Sequence, residues 1–353
     1  MALLTTTIGS YPKPDYVPVA NWHSIRQKRG AHPTHPTRAY DSFLADMPPD
    51  AEERLDRGTQ EIVREQVEAG IDVPTDGEIR REHYIYYHCR HLYGFDFDGL
   101  TEKAMRGGSW TAHVPTVRGP IEAGPPFLPR DWQVAQAVTD RPIKITIPGP
   151  LTIIDSTADA YYGDEAALAA ALGEAINAEI KALAEAGCRW IQVDEPLFAR
   201  EPDRALAFGV DALARCFHDV PGSVKRAVHI CCGYPAELDL EDYPKADPDV
   251  YFRLSEAIDR APVEAVSLED AHRHNDLGLL ERFERSSVIL GVIAIARSQV
   301  ESVDEVRERL KAALEHIDAN RLIAGPDCGL TMLPRETARA KLAVLSQAAR
   351  SVG

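Results

Sequence analysis

Short apolar runs alternate with longer amphipathic stretches along almost the whole chain. Runs rich in β-branched and aliphatic residues predict eight strands, over 3–10, 71–78, 142–150, 189–196, 225–232, 264–270, 287–294 and 321–329. Helical periodicity follows most of them and predicts helices over 50–70, 164–187, 202–219, 247–260, 276–284, 302–317 and 334–352. Eight strands, each leading toward helical sequence, predict an α/β fold of the (β/α)8 or TIM-barrel type.

The chain is longer than such a barrel requires. It has 353 residues, whereas a (β/α)8 barrel typically takes about 250. The excess lies in residues 12–40 and about 80–141, which are rich in Pro, Gly, His and aromatic residues. We therefore predict a single unit over 1–353, with long excursions after strands 1 and 2. A doubly wound open sheet is the second choice, although no G-x-G-x-x-G follows any predicted strand.

The charge balance narrows the classes of partner. Asp plus Glu number 55 against 39 Lys plus Arg, which gives a formal net charge of −16. So acidic a chain, without a basic stripe, is a poor ligand for nucleic acid. The longest apolar runs, such as 286–296, fall short of a membrane span. Six cysteines in a chain of this length, without an apparent signal peptide, indicate free thiols and a cytoplasmic location.

Reactive side chains collect where the predicted strands end, which is the catalytic face of a (β/α)8 barrel. They are Asp76, Glu78, Asp194, Glu195, His229, Cys231, Cys232, Glu269, Asp270, Asp327 and Cys328. His229 and Cys231 are two residues apart, so they point to the same side of a strand, whereas Cys232 points away. A lone buried cysteine is usually a small core residue. A histidine, thiols and a carboxylate that converge on one rim instead indicate a zinc site.

The segments at these strand ends also carry a family resemblance. The motifs TTTIGSYP, TDGE, IPGPLT, IQVDEP, HIC, SLED and GPDCGL, in this order between Thr5 and about Lys341, resemble the catalytic barrel of cobalamin-independent methionine synthase. The resemblance implies that zinc is held by His229, Cys231, Glu269 and Cys328, which are also the catalytic residues. It further implies homocysteine contacts from Ile8, Gly9, Ser10, Glu78 and Asp194.

The resemblance implies a zinc-dependent methyl or alkyl transferase that converts homocysteine into methionine. A free thiol has a pKa near ~8.5 and is mostly protonated at neutral pH. Zinc favours the thiolate and holds it beside an electrophilic carbon. Glu78 and Asp194 suit the ammonium group of an amino-acid thiol, because carboxylates form strong charge-assisted hydrogen bonds.

One part of the pattern departs from the family. After the seventh strand the family has Asp-Ile-His-Ser, whose histidine protonates the folate leaving group, but this chain has Ala294-Ile295-Ala296-Arg297-Ser298. A tryptophan that stacks on folate after the third strand is absent as well. We therefore expect a donor other than methyltetrahydrofolate, such as a methylcorrinoid, and a methyl-donor partner protein is one way to supply it. Histidines that could approach from elsewhere are His83, His88, His113, His272 and His274.

Three other functions fit parts of the pattern. An epoxyalkane:coenzyme M transferase type of enzyme would use the same zinc and thiolate, with Arg80, Arg81 and Arg297 binding a sulfonate. A barrel like uroporphyrinogen decarboxylase would need no zinc and would leave the four ligands unexplained. A zinc-binding barrel without turnover is the third. Metal content with and without Cys231, together with a panel of thiols, separates these functions.

Overall fold

A computed structural model describes residues 2–19, 37–105, 108, 110–234, 237–240, 243 and 245–352, with Ala39 described only in its backbone. Most of the first predicted excursion, residues 20–36, lies outside the described residues. The strands are β1 (Leu4–Thr5), β2 (Leu92–Met105), β3 (Trp110–Ala123), β4 (Lys144–Pro148), β5 (Ala158–Asp159), β6 (Trp190–Asp194), β7 (Lys225–Ile230), β8 (Ala265–Glu269), β9 (Ser287–Ile293) and β10 (Leu322–Pro326).

Helices connect these strands. They are α1 (Arg38–Ala45), α2 (Ala51–Glu68), α3 (Tyr86–Cys89), α4 (Leu128–Gln136), α5 (Pro150–Ser156), α6 (Glu165–Ala186), α7 (Pro196–Arg200), α8 (Pro202–Arg204), α9 (Val210–Cys216), α10 (Val250–Arg260), α11 (Val303–Ala313) and α12 (Arg335–Ser351). A π-helical turn, Ala205–Gly209, joins α8 to α9, and a 3-10 helix, Leu277–Arg282, lies between β8 and β9. All seven predicted helices are therefore present in the structure, although the one over 202–219 is divided.

The central element is a sheet of seven parallel strands. Its order is β1-β10-β9-β8-β7-β6-β4. Every residue of β4, β8, β9 and β10 is buried, as expected for a parallel sheet that is covered on both faces. This explains why these strands read as continuous apolar runs rather than as an alternation of apolar and polar residues.

The predicted second strand, 71–78, is much reduced. Isolated parallel bridges pair Thr6 with Val73 and Thr75 with Lys144, so residues 73–75 connect to both outer strands of the sheet. Pro74 has no backbone N–H to donate to a neighbouring strand. The backbone then turns at Gly77, which has a φ of 65°. Pro74 and the turn at Gly77 limit regular strand pairing where the sequence predicts the second of eight full strands.

The longest helix has the ends that its sequence predicts. Asp164 caps α6, because its Oδ1 accepts hydrogen bonds from the backbone N–H groups of Ala166 and Ala167 at 2.9 and 3.3 Å. The helix ends at Gly187, which has a φ of 116°. This left-handed conformation is one that glycine adopts without steric cost.

The excursion over 80–141 contains a hairpin that the sequence analysis missed. Strands β2 and β3, each of 14 residues, pair antiparallel, and the short β5 joins the edge of β3. Its aromatic residues Tyr93, Phe95 and Phe97 alternate with small or acidic ones, which is a strand pattern.

Among the described residues, no helix combines the length and apolar character that crossing a membrane requires.

Candidate functional site

Strands β7, β8 and β10, with β9 between the last two, bring the predicted metal ligands to one rim of the sheet. His229 lies near the end of β7 and Cys231 just after it, Glu269 is the last residue of β8, and Cys328 follows β10 by two residues. In the parallel register, His229 pairs with Ser267 of β8. Because parallel strands end on the same side, these side chains reach the C-terminal face, where (β/α)8 enzymes place their chemistry.

His229, Cys231 and Cys328 form a compact set of donor atoms. One ligand atom from each residue lies within 4.8 Å of the others. Glu269 is not part of that set of three, but its Oε1 accepts a hydrogen bond from the thiol of Cys231 at 2.8 Å. The two thiols and the imidazole are thus assembled around one point, with the carboxylate adjacent. One nitrogen, two sulfurs and a carboxylate oxygen are ligands that suit zinc.

The imidazole of His229 is oriented as a metal ligand would be. Its Nδ1 lies 2.9 Å from Ser267 Oγ, whereas its Nε2 is buried and has no hydrogen-bond partner among the described residues. A ligand histidine commonly uses one ring nitrogen for a fixing hydrogen bond and the other for the metal. Burial, with a smaller contribution from Lys144, lowers the pKa of His229 to about 3. The ring is therefore neutral at pH 7, as coordination requires.

The acidic members of the cluster resist ionising together. The hydrogen bond with Cys328, followed by burial, raises the pKa of Cys231 well above its usual value. Burial, followed by the charge of Cys231, raises the pKa of Glu269. Glu269 Oε2 has no hydrogen-bond partner among the described residues, and Lys245 Nζ lies 3.5 Å from it. A divalent cation would favour the ionised form of every one of these groups.

Asp327 holds the loop that follows Glu269. Its carboxylate accepts hydrogen bonds from the backbone N–H groups of Asp270, Ala271 and His272, all at 2.8 Å. A Cβ atom at Gly291 would lie only 2.4 Å from Asp327 Oδ1, so β9 leaves room for this carboxylate. Asp327 thereby fixes the strand end that carries Glu269 and is itself adjacent to Cys328. From the sequence, Asp327 was identifiable only as a polar residue at a strand end.

Glu78 and Asp194, the two carboxylates predicted to bind substrate, form a second buried cluster. Thr146 Oγ1 donates to Glu78 Oε1 at 2.9 Å, and Arg81 Nη1 lies 3.5 Å from the same oxygen. Glu78 has a φ of 57°, which is unusual for a residue with a side chain. Burial, with a contribution from the charge of Glu78, raises the pKa of Asp194 to about 8. An ammonium group would stabilise the ionised carboxylates of this pair.

The end of the first strand contributes backbone rather than side chains. The side chain of Ile8 packs against Ala227, Ala265, Ile289 and Ile323 in the interior of the sheet, so only its backbone is available to a ligand. A Cβ atom at Gly9 would lie 2.6 Å from Glu78 Oε1.

Ser10 connects this strand end to the loop after β10. Its carbonyl accepts a hydrogen bond from the N–H of Leu330 at 2.8 Å. A Cβ atom at Gly329, the residue after Cys328, would lie 2.2 Å from Ser10 Oγ. The predicted substrate-binding segment is therefore in direct contact with the loop that carries a predicted metal ligand.

The end of β9 carries no acidic or basic side chain at Ala294 or Ala296. Their backbone N–H groups are already used: Ala294 donates to Glu301 Oε1 at 2.9 Å, whereas Ile295 and Ala296 donate to His272 Nε2 at 3.1 Å. The proton of a neutral His272 ring is consequently on Nδ1. Burial lowers the pKa of His272 to about 3.

Of the five histidines considered from sequence, His272 is shown to contact this strand end within the part of the chain that the structure describes. His83 Nδ1 instead accepts a hydrogen bond from the N–H of Ile85 at 3.2 Å, and His88 Nδ1 lies 2.8 Å from the carbonyl of Tyr84. His113 lies in β3, and His274 is exposed. The approach of His272 was not predictable from the sequence, because it depends on the path of the loop after β8.

Comparisons with known proteins identify the family of this chain. Residues 3–351 match the family model described as "Cobalamin-independent synthase, Catalytic domain". The methionine synthase of Sulfolobus acidocaldarius is 31% identical over 346 residues, covering 96% of this chain and 89% of that protein. The methionine synthase of Pyrococcus furiosus is 28% identical over 352 residues, covering 99% and 93% of the two chains.

A solved structure is similar over nearly the whole chain. It is that of a B12-independent methionine synthase from Shewanella sp. W3-18-1 in complex with selenomethionine. The TM-score is 0.83 at 29% sequence identity, with 99% of this chain and 97% of that chain covered. The similarity therefore extends over nearly the whole fold.

Proposed function

The chain belongs to the cobalamin-independent methionine synthase family, and we propose that it is a zinc-dependent methyltransferase that converts homocysteine into methionine. The observation that carries the proposal is the set of His229, Cys231 and Cys328, whose ligand atoms lie within 4.8 Å of one another. Glu269 completes the proposed ligands, because its carboxylate contacts Cys231 at 2.8 Å. These four residues would hold the zinc ion.

When bound, zinc lowers the pKa of a coordinating thiol and so supplies a thiolate nucleophile at neutral pH. The protein contributes orientation and charge balance. Ser267 fixes the imidazole of His229, and Asp327 fixes the loop after Glu269. The low exposure of the cluster limits access of water to the transferred methyl group, since Cys231 and Glu269 are each 5% exposed.

For the acceptor, we propose that Glu78 and Asp194 bind the ammonium group of homocysteine. Both carboxylates are buried, and burial is costly unless a cation or hydrogen bonds compensate. The backbone at Ile8, Gly9 and Ser10 would bind beside them, next to the loop that carries Cys328. A small amino-acid thiol could then contact both clusters at once.

For the donor, we propose a methyl compound whose leaving group does not need a proton from the β9 end. Neither alanine at 294 or 296 can donate one, and the Nε2 atom of His272 is occupied as an acceptor. A methylcorrinoid, carried by a partner protein or free, meets this condition.

The architecture and location complete the proposal. We infer that residues 73–75 fill the eighth position of a closed (β/α)8 barrel, because they bridge both outer strands of the sheet. We further infer that residues 1–353 act as one catalytic unit and that the enzyme works in the cytoplasm, where thiols stay reduced.

Coenzyme M-type chemistry is the weaker candidate because two of the three arginines predicted for its cationic pocket already pair with carboxylates, whereas Arg297 is exposed. Arg80 is paired with Glu52 and Asp56 at 2.9 and 2.5 Å. Arg81 lies 3.4 Å from Asp76 and 3.5 Å from Glu78. A guanidinium group that is already neutralised by carboxylates is a poor site for a sulfonate.

The test is a transfer assay with purified, zinc-loaded protein. Homocysteine is incubated with methyltetrahydrofolate, methylcobalamin or a methylsulfonium compound, and methionine is quantified. We expect methionine from at least one donor, its loss in Cys231→Ser, and its retention in the adjacent control Cys232→Ser. Alkylation of 2-mercaptoethanesulfonate by an epoxide, without methionine from any donor, would instead favour the coenzyme M-type function.

A further inference from the structure

A lysine is buried within the sheet beneath the proposed substrate carboxylates. Lys144, the first residue of β4, has no exposed surface. Its Nζ donates to Gln192 Oε1 in the middle of β6 at 2.6 Å. Its hydrogen-bond partner is thus a neutral amide rather than a carboxylate. Burial lowers the pKa of Lys144 to about 7, and the charge of Asp194 opposes this shift, so the ammonium form is costly at this position.

The ammonium group fixes the orientation of the Gln192 amide. An ammonium group can only donate hydrogen bonds, so the amide oxygen must face Lys144 and the amide nitrogen must face away. That nitrogen donates to the carbonyl of Ile8 at 3.0 Å and to Asp194 Oδ1 at 2.7 Å. Without Lys144 the amide could rotate, and it would then turn an oxygen toward two acceptors.

Both acceptors belong to the proposed homocysteine site. Asp194 is one of the two carboxylates, and Ile8 opens the backbone segment beside them. A single amide therefore links β6 to the end of β1 and sets the distance between these two groups. The side chain of Gln192 therefore fixes the relative position of groups on two strands, and Lys144 in turn fixes the orientation of Gln192.

We propose that Lys144 and Gln192 are positioning residues that hold Asp194 and the Ile8 carbonyl where the ammonium group of homocysteine binds. The pair thereby sets the preference of the enzyme for thiols that carry an α-amine. This inference rests on the proposed function, since it assumes that homocysteine is the acceptor. It assigns no contact between Lys144 or Gln192 and the reacting sulfur.

The test compares homocysteine with 4-mercaptobutanoate, the same thiol without its amine. Binding of each to zinc-loaded protein is measured by calorimetry for the wild type, Lys144→Met and Gln192→Glu. Gln192→Glu conserves shape and retains a partner for Lys144, so it guards against a general folding defect. Arg226→Met is the matched control, because Arg226 pairs with Glu264 at the opposite end of β7.

We expect both test variants to lose about tenfold or more in affinity for homocysteine, with less than about twofold change for 4-mercaptobutanoate, because they disturb hydrogen bonds to a charged group. Arg226→Met should leave the ratio of the two affinities unchanged. A wild-type preference for homocysteine that survives in both variants would overturn this inference alone. Equal affinities of the wild type for the two thiols would overturn the homocysteine acceptor and this inference together.

Discussion

Strands β9 and β10 are neighbours in the sheet, yet the segments that follow them are built in opposite ways. After β10, Asp327 presents a carboxylate that binds the backbone of the loop after Glu269, and Cys328 presents a thiol of the predicted metal cluster. After β9, Ala294 and Ala296 present methyl groups, and the hydrogen bonds of this segment come from its backbone. One strand end is thus equipped with reactive side chains, and the other is packed and structural.

The difference indicates that the two halves of a methyl transfer make separate demands on a protein. As proposed, activation of the thiol needs fixed ligands, and the residues of the compact cluster would supply them. Departure of the methyl donor's leaving group needs help only if that group is poor. A chain that uses a better leaving group can therefore give up acidic residues at one strand end without changing its neighbour.

The largest expected effect concerns the predicted metal cluster, which includes the segment after β10. Cys231→Ser and Cys328→Ser should each weaken zinc binding by more than about 100-fold, because loss of a ligand exceeds the 10–100-fold effect of removing a residue that merely orients one. Zinc per chain, measured after dialysis against a weak chelator, checks this. Cys232→Ser is the control and should keep full stoichiometry. Full zinc content in either test variant would disprove the assignment of that cysteine.

The next effect concerns the segment after β9 and the choice of methyl donor. Methyltetrahydrofolate should transfer its methyl group about 10²–10⁴-fold more slowly than a donor whose leaving group needs no proton, since general acid catalysis contributes about that factor. Initial rates of methionine formation with methyltetrahydrofolate and methylcobalamin provide the comparison. Fast transfer from methyltetrahydrofolate by the pure chain, without a partner protein, would contradict the prediction. His272→Gln would then reveal whether that ring supplies the proton.

A smaller effect separates the carboxylate pair from the metal cluster. Glu78→Gln and Asp194→Asn should lower the affinity for homocysteine by about ten- to hundredfold, because each variant removes a charged partner of the ammonium group. The affinity for 4-mercaptobutanoate should change much less. Since the pKa of Asp194 is raised to about 8, the wild-type preference for homocysteine should increase as pH rises toward that value. Equal losses for both thiols would contradict the assigned role.

The smallest effect on the metal cluster concerns its support. Asp327→Asn retains one carbonyl oxygen as an acceptor. It loses the charged carboxylate that accepts hydrogen bonds from three backbone N–H groups. Zinc affinity should fall by about tenfold, at the lower end of effects seen when an orienting residue is changed. Competition with a chromophoric chelator measures it. Asp239→Asn, on an exposed loop that bonds Ser298, is the control, and an equal loss in both variants would contradict a specific role for Asp327.

The order of strands and helices was predictable because local sequence patterns determine it. The buried parallel strands read as apolar runs, and Asp164 and Gly187 mark the ends of α6 directly. The exceptions have local causes as well: Pro74 limits pairing of the predicted second strand. The β2–β3 hairpin was missed because its alternating pattern lay within a region interpreted as an excursion.

The metal cluster was predictable in part. His229 and Cys231 share a strand face, and a parallel barrel places Glu269 and Cys328 on the same rim. Their roles as ligands came from the family resemblance and stay a prediction. The approach of His272 to Ala296 and the bond from Lys144 to Gln192 could not be foreseen, because both depend on side chains from strands or loops distant in sequence.

The left-handed backbone of Glu78 has a consequence for the stability of this turn. A side chain in that conformation costs roughly 1–2 kcal/mol relative to glycine, and Glu78 follows a glycine that shares the turn. Glu78→Gly would relieve this strain but would also remove the buried contacts of the side chain with Thr146 and Arg81. If Glu78 binds substrate as proposed, the strained turn is what directs its carboxylate toward the site.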